Sequence, residues 1–560
     1  MRKRNICNEM KTNLFIFLLC ISLYASAQKN SYSKLIYSIS VLPKTGTFNI
    51  SVDFVAGSET STAIQLPKEF GGFNHAFRYI SILKGKNIEA VTVDATDSSV
   101  VVLKHQPNQA IRFQYLLKNA LNDSLPGREP AYSIIIKPNY FNIPGQVLFA
   151  YPKQLAEQIV NIKINWVNYP KGWSNVNSFG NNYSVQTLPD IPMPLFTSSI
   201  WCGGDFRVYP FTVNKKPVYF AIRDKWKFKD AAMLGLIQKT IATQRAFWND
   251  YNINQYTVTL MPFLTASEYE LSYQGTGLTN SFATWATNNK QTSPASLQYL
   301  YNHELMHHWI GTLIQNEQPE ELLYWFSEGF TDYFSYRNML ESKFITQQEY
   351  NRSFDSVLAW HYADAVNESP NTAIKEKFWT DNTIQKLPYN RGHIFAFYVD
   401  VIIKKETAGK KDLKTVMLEV LRQCLSEQKK LNQQLFIDAV KTISGADITV
   451  VLNQFITEGK FISLDEWNKI LPDGFAYKDV SVFTYGFETD EGGLAANAKI
   501  ISVDEQANAF KAGLQPGDIL KGYNINNSAT TEAEITVERN KQMLKFKFYP
   551  AKEVQMLQLK

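Results

Sequence analysis

YNHELMHHWIGTLIQ, residues 301–315, places three histidines within six positions, in a chain of 560 residues that has only seven. Imidazole is the usual side chain for metal ligation and for proton transfer near neutral pH, so this crowding points to a reactive centre. Wound as a helix, the stretch carries His303 and His307 four residues apart, one above the other, with Glu304 on the flank of the same face. That is the H-E-x-x-H arrangement, in which two imidazoles hold one zinc and the glutamate reaches the water in the open coordination position. His308 points about 100° further round the helix and reads as a packed or exposed side chain.

Catalytic zinc takes three protein ligands and a water, so the motif needs a partner. YWFSEGFTDYF, residues 324–334, supplies Glu328, twenty-one positions after His307, which leaves room for a loop and a second helix. Asp332 lies one helical turn beyond Glu328 on the same face, where a carboxylate accepts the outer N–H of His303 or His307 and fixes its tautomer. The alternative for Asp332 is a solvated helix carboxylate. Three ligands imply one Zn2+ per chain.

Outward from this centre, 560 residues at 45% hydrophobic exceed what one core absorbs, so several domains are expected. From about Ser31 to Asp190 the chain runs in short β-rich segments such as LIYSISV, TFNISVDFV, SVVVLKH and IRFQYLL, separated by Gly, Pro, Asn and Asp turns. This predicts a β-sandwich-like domain over residues 28–190. Between 191 and 290, strands such as VYFAIRD and YTVTLMPF flank a helix, DAAMLGLIQKTIATQRAFWNDY. Helical periodicity then dominates from 293 to about 470, and the last 90 residues return to strands and turns. The expected class is multi-domain α+β.

The N-terminus carries Arg2, Lys3, Arg4 and Lys11, then the apolar run LFIFLLCISLY (14–24), then Ala25-Ser26-Ala27. This is the pattern of a secretory signal peptide, residues 1–27, and the run falls short of the roughly 20 residues that span a bilayer. The expectation is an exported protein, periplasmic or secreted, with no stable membrane span after cleavage. Leu19 before Cys20 argues against lipid attachment. Removing residues 1–27 takes away four basic residues and Glu9, lowering the formal charge from +5 to +2, which gives no footing for nucleic acid. Cys202 and Cys424 then remain, and read as buried single thiols rather than a disulfide framework.

HELMHHWIG followed by WFSEGFTDY resembles the gluzincin metallopeptidases, whose thermolysin-like catalytic domain holds zinc through His, His and a downstream Glu. It is closest in pattern to two related aminopeptidase families with H-E-L-x-H-x-W-x-G. LPYNRGHIFAF (387–397) resembles their Y-x-K-G stretch, with Arg391 in the lysine's place. The resemblance implies that Tyr389 donates a hydrogen bond to the tetrahedral oxyanion. NAFKAGLQPGDILKGYNINN (508–527) resembles the A-G-L-x-x-G-D-x-I segment of a PDZ domain, and TYGF (484–487) its carboxylate-binding loop, with Thr484 for the first glycine. That resemblance implies that Tyr485, Gly486 and Phe487 capture peptide C-termini through backbone N–H groups while the peptide adds a strand. A PDZ domain (471–560) after a gluzincin domain (191–470) closed by GADITVVLNQFITEGKFISLDEW is similar to the PDZ-containing glycyl-aminopeptidase-like family, related to the membrane alanyl aminopeptidases.

One departure bears on specificity. Those families carry a G-G-L-E-H stretch, or a comparable glutamate that binds the substrate's free amine, before the zinc helix. LSYQGTGLTNSFATW (271–285) puts Thr279 and Asn280 there, and a neutral threonine cannot pair with an ammonium group as a carboxylate does. Glu268 and Glu270 just upstream are the alternative anchors. Gly277, Leu278 and Thr279 are expected to line the substrate edge, where an extended peptide pairs by its backbone. The function expected is zinc-dependent hydrolysis of peptide or protein substrates, with Glu304 taking a proton from the attacking water and delivering it to the leaving amine. The rival readings are a non-catalytic PDZ scaffold and a zinc hydrolase of a small molecule.

Overall fold

The computed structural model describes residues 34–123, 125–127, 129–264, 271–362, 365–525 and 528–560. The segment 1–27, expected to be a signal peptide, and the alternative anchors Glu268 and Glu270 lie outside them. The chain divides into two compact units, Met1–Leu305 and Met306–Lys560, with the division passing inside the H-E-x-x-H stretch. Among the described residues no helix is long and apolar enough to cross a membrane.

In the first unit, alternation of apolar and polar residues does what period-2 patterning requires. Ala110–Lys118 buries Ile111, Phe113, Tyr115 and Leu117 and turns the residues between them outward. It belongs to a six-stranded sheet in the order Val185–Pro192, Ile159–Val167, Lys34–Leu42, Thr47–Val55, Ala110–Lys118, Ile80–Lys86. A four-stranded sheet that includes Ser61–Gln65 and Val100–Lys104, and a five-stranded sheet that includes Tyr140–Pro144 and Ile200–Gly204, bury their inner faces in the same core. Three sheets therefore share the core. The buried tyrosines in it keep a partner for each hydroxyl: Tyr37 donates to the Ala150 carbonyl and Tyr115 to that of Leu148. The boundary expected at 190 lies within this continuous pairing. It falls within the strand Val185–Pro192, and Ile200–Gly204 pairs with both Ser174–Asn177 and Tyr140–Pro144.

A second five-stranded sheet follows in the order Arg207–Val213, Lys216–Ile222, Tyr256–Phe263, Ser281–Thr287, Tyr273–Leu278. Its two central pairings are parallel. The helix Asp230–Trp248 is the crossover between Lys216–Ile222 and Tyr256–Phe263, as parallel neighbours need. Tyr273–Leu278 is the edge strand.

The second unit is helical to Ile470. Its helix starts are marked by side-chain caps: Asp381 accepts from the N–H groups of Thr383 and Ile384, Asn432 from Leu435, and Ser463 with Glu466 forms a capping box. The C-terminal module has its own apolar cluster of Phe487, Ile500, Leu514, Leu520, Ile535, Val537 and neighbours. Its first and last strands, Phe475–Phe483 and Ala551–Leu559, instead form a ribbon against the helices. The Leu559 N–H donates to Asp355 Oδ1 and the Phe475 ring sits 4.4 Å from that of Trp467.

Candidate metal centre

The helix Pro294–Met306 carries His303 and Glu304. Leu297, Leu300, Tyr301, Leu305 and Met306 give it a buried apolar face, and Gln244 Nε2 donates to the Asn302 carbonyl at 2.6 Å. The regular helix ends at Met306, one residue short of His307, whereas an uninterrupted helix was expected. The winding persists, since the Ile310 N–H donates to the Met306 carbonyl at 3.1 Å, and Gly311, at φ 111°, then reverses the chain. His307 gains a fixed tautomer from this turn. Its Nδ1 lies 3.0 Å from the Ile310 carbonyl oxygen, which only accepts, so Nδ1 carries the proton and Nε2 keeps a lone pair.

That lone pair faces Glu328. His307 Nε2 and Glu328 Oε2 are 3.5 Å apart, too far for a charge-assisted hydrogen bond, which closes to about 2.7–2.9 Å. It matches the edge of a zinc tetrahedron, about 3.4 Å for bonds of 2.0–2.2 Å. One ligand atom each from His303, His307 and Glu328 fall within 4.8 Å of one another. The donor set of two imidazoles and a carboxylate fits a single zinc ion with one position left for water.

Glu328 sits at the joint between the short helix Tyr324–Ser327 and the helix Gly329–Glu341, and its carbonyl accepts from the Asp332 N–H at 2.9 Å. Asp332 follows one turn later and is buried. Glu304 is half-buried beside His303. Tyr389 lies on the helix Asn382–Glu406, directly after Pro388. It packs with Tyr324 against Ile374, Phe378, Ile384 and Leu387, so one apolar cluster supports both Tyr389 and the turn leading into Glu328.

Two glycines to which the sequence reading gave no role set the spacing of these parts. Gly329 and Gly392 bring the Glu328 joint and the Tyr389 helix into backbone contact: a Cβ on Gly392 would lie 1.8 Å from the Trp325 carbonyl oxygen and 2.8 Å from Gly329 Cα. For Gly392, interior to the helix Asn382–Glu406, the available signal was that helix-interior glycine costs about 1 kcal/mol, which marks close approach; Gly329 opens its helix and carried no such signal. Arg391, beside Gly392, is fully buried, and its guanidinium donates to the carbonyls of Ile456, Asn367 and Ser369. Burial pushes its pKa down to about 10.

Gly277 and Leu278 end the edge strand Tyr273–Leu278, and Thr279-Asn280 form the two-residue turn into Ser281–Thr287, with Asn280 at φ 49°. The Thr279 N–H donates to the Ser198 carbonyl, and its hydroxyl is buried without a partner among the described residues. In the C-terminal module the Gly486 N–H is taken by Thr484 Oγ1 at 3.0 Å, and Tyr485 and Phe487 line a cavity of about 390 Å³. Cys202 and Cys424 are buried single thiols, and burial pushes the Cys424 thiol up to about 11.

Residues 233–455 match the Peptidase family M1 domain. This segment is an M1 peptidase domain. Among curated relatives, leucine aminopeptidase 2 of Ajellomyces capsulatus is 26% identical over 174 residues, 29% of this chain and 24% of that protein. Aminopeptidase B of Rattus norvegicus is 26% identical over 191 residues, 33% and 28% respectively. The matches thus span about a quarter of those relatives' length. The fold is shared over nearly the whole chain with an aminopeptidase N family protein from Idiomarina loihiensis, at TM-score 0.68 and 14% identity, covering 94% of this chain and 98% of that one. All three candidate ligands lie inside the M1 domain.

Proposed function

We propose that the chain is an exported zinc peptidase that hydrolyses peptide bonds in peptide or protein substrates. The observation that carries the proposal is the convergence of His303, His307 and Glu328 ligand atoms within 4.8 Å, with His307 Nδ1 committed to the Ile310 carbonyl. Zinc bound there supplies Lewis acidity and lowers the pKa of a water toward neutrality. Glu304, flanking His303, takes the proton as the scissile carbonyl is attacked and returns it to the leaving amine. Tyr389 donates to the developing oxyanion. Asp332 holds a ligand imidazole in orientation. The edge strand ending at Gly277-Leu278-Thr279 pairs with an extended substrate through backbone groups.

Specificity follows from Thr279. Its hydroxyl is buried and its N–H is used by Ser198, so it offers a free amine no anion. A charge-assisted hydrogen bond is typically worth about 1.5–3 kcal/mol, roughly ten- to a hundredfold in rate. Without it, N-acetylation of a substrate lowers the rate less than about tenfold and internal bonds are cut. At the C-terminal end, the A-G-L-x-x-G-D segment supports a PDZ-type module, hence the glycyl-aminopeptidase-like family. The cavity lined by Tyr485 and Phe487 supports peptide C-termini as its ligand.

Two measurements test the reading. Glu304→Gln is expected to retain about one zinc per chain by metal analysis and to lose turnover; loss of zinc would show that the roles are wrongly assigned. One peptide, free and N-acetylated, is then incubated with the mature protein and the cleavage sites read by mass. A strict requirement for the free amine would overturn the specificity argument and leave the zinc chemistry standing.

A further inference from the structure

The helical turn that ends at the third candidate ligand carries a second polar feature. Tyr324 lies four residues before Glu328, and the Glu328 N–H donates to the Tyr324 carbonyl at 2.8 Å, so the two side chains share a face about 6 Å apart along the axis. The Tyr324 ring is half-buried. It meets the Phe378 ring at 4.7 Å and 59°, in the apolar cluster that also receives Tyr389. An aromatic wall therefore links the candidate ligand to the proposed oxyanion donor.

The wall ends in charge. The Tyr324 hydroxyl donates to Glu320 Oε1 at 3.2 Å, one turn back on the short helix Glu320–Leu323. That turn is pinned from outside, because Asn371 Nδ2 donates to the Leu322 carbonyl at 2.8 Å. Glu320 is exposed and Glu321 half-buried, and neither forms an ion pair with a lysine or arginine among the described residues. Burial, and after it the carboxylates of Glu320, Glu321 and Glu328, push the pKa of the Tyr324 hydroxyl up, which keeps it a donor. Glu320 is thus held in place by a neutral group and retains its charge. A second metal does not account for it: among the described residues the ligand atoms that converge in a set of three are those of His303, His307 and Glu328.

Resting on the reading of this centre as a peptidase, we propose that Tyr324 and Glu320 form a specificity subsite for the side chain of a lysine or arginine next to the scissile bond. The long aliphatic stem of such a residue lies along the aromatic wall, and its cationic head reaches past the Tyr324 ring to Glu320. The ring face and the carboxylate both attract a cation. An acidic side chain meets like charge there, and an apolar one gains only the wall.

The test uses the zinc-loaded mature protein and peptides that differ at one position, lysine against norleucine, which keeps the stem and drops the charge. Lysine beside the cut is expected to give at least about tenfold higher kcat/KM, the usual yield of a charge-assisted contact. Glu320→Gln should bring that ratio toward one, and Glu320→Lys below it. Both peptides are measured in one preparation, so partial unfolding of a variant cancels. The ratio should also shrink between about 0.02 and 0.5 M salt, because Glu320 is exposed. Glu304→Gln, expected to hold a peptide without cutting it, gives the same comparison as an affinity. Cleavage with a ratio near one, or a ratio that Glu320→Gln leaves intact, would overturn the subsite and leave the peptidase reading standing. Equal rates for lysine and norleucine, with a preference for the free N-terminal amine that disappears in Glu320→Gln, would assign Glu320 to the amine and overturn it too. Tighter binding of the lysine peptide to Glu304→Gln, with no peptide cut by the unaltered protein, would keep the subsite and overturn the hydrolysis.

Discussion

Replacing Gly392 with alanine tests whether the spacing between the Glu328 joint and the Tyr389 helix is set by backbone contact. The added Cβ would meet the Trp325 carbonyl oxygen at 1.8 Å, its carbon at 2.7 Å and Gly329 Cα at 2.8 Å, where ordinary contact begins at 3.4 Å. Relief needs a displacement of about 1.6 Å, and all three obstacles are backbone atoms that cannot rotate away. Trp325 cannot yield either, because its fully buried ring packs against Phe326, Phe330, Phe395 and Phe436. Overpacking of this kind costs about 1–3 kcal/mol or more. Misplacing a reacting geometry by about 1 Å costs roughly a hundredfold in rate. Gly392→Ala is therefore expected to lower the thermal midpoint by several degrees and kcat/KM on a peptide by about a hundredfold. The matching control is Gly235→Ala in the helix Asp230–Trp248, where a Cβ meets nothing within 4 Å. That change should stabilise by up to about 1 kcal/mol. If Gly392→Ala kept kcat/KM within about threefold at an unchanged midpoint, the two segments would not be positioned by this contact.

Arg391→Lys is expected to destabilise by about 2–4 kcal/mol in denaturant titrations, because one ammonium cannot span the three carbonyls the guanidinium binds; a change under about 0.5 kcal/mol would remove Arg391 as a clamp. Burial pushes the fully buried His361 down to about 3, with Arg391 the smaller cause. The unfolded chain, titrating near 6.5, then binds the extra proton between about pH 6.5 and 3, so this contribution is fully present above pH 6.5 and drains away below it. His361→Phe should flatten that acid limb, and an unchanged stability profile from pH 6.5 to 4 would refute the assignment. A stop after Ile470 strips the Phe475–Phe483 and Ala551–Leu559 ribbon from the helices and should give an aggregating protein. Excising 484–550 and joining Phe483 to its register partner Ala551 through Asn-Gly should keep the core folded; equal solubility of the two truncations would contradict the packing argument.

The parts of this site that could be read in the sequence are those whose geometry is local. His303 and His307 share a face because of helical repeat alone, and Glu328 was found because a catalytic zinc needs a third ligand. Strands such as Ala110–Lys118 announced themselves by alternation, which one buried face imposes. What escaped depends on pairs distant in the chain. The strand Val185–Pro192 has only a weakly alternating burial pattern, so nothing in it marks that the β-rich unit continues through Ile200–Gly204. Thr484 looked like a departure from a glycine loop, yet its hydroxyl occupies the Gly486 N–H, one of the donors a bound carboxylate would use. Arg391 looked like a substitute for a lysine, whereas its charge is spent on three carbonyls within the fold. The glycine beside it carries the sharper lesson. A motif names Gly392 but not its partner, and only the folded chain shows that the missing side chain lets the Tyr389 helix touch the joint that holds Glu328. If both residues act on the same peptide bond, the reach between them is set where no side chain exists to be recognised, and the chemistry depends on it as much as on the ligands.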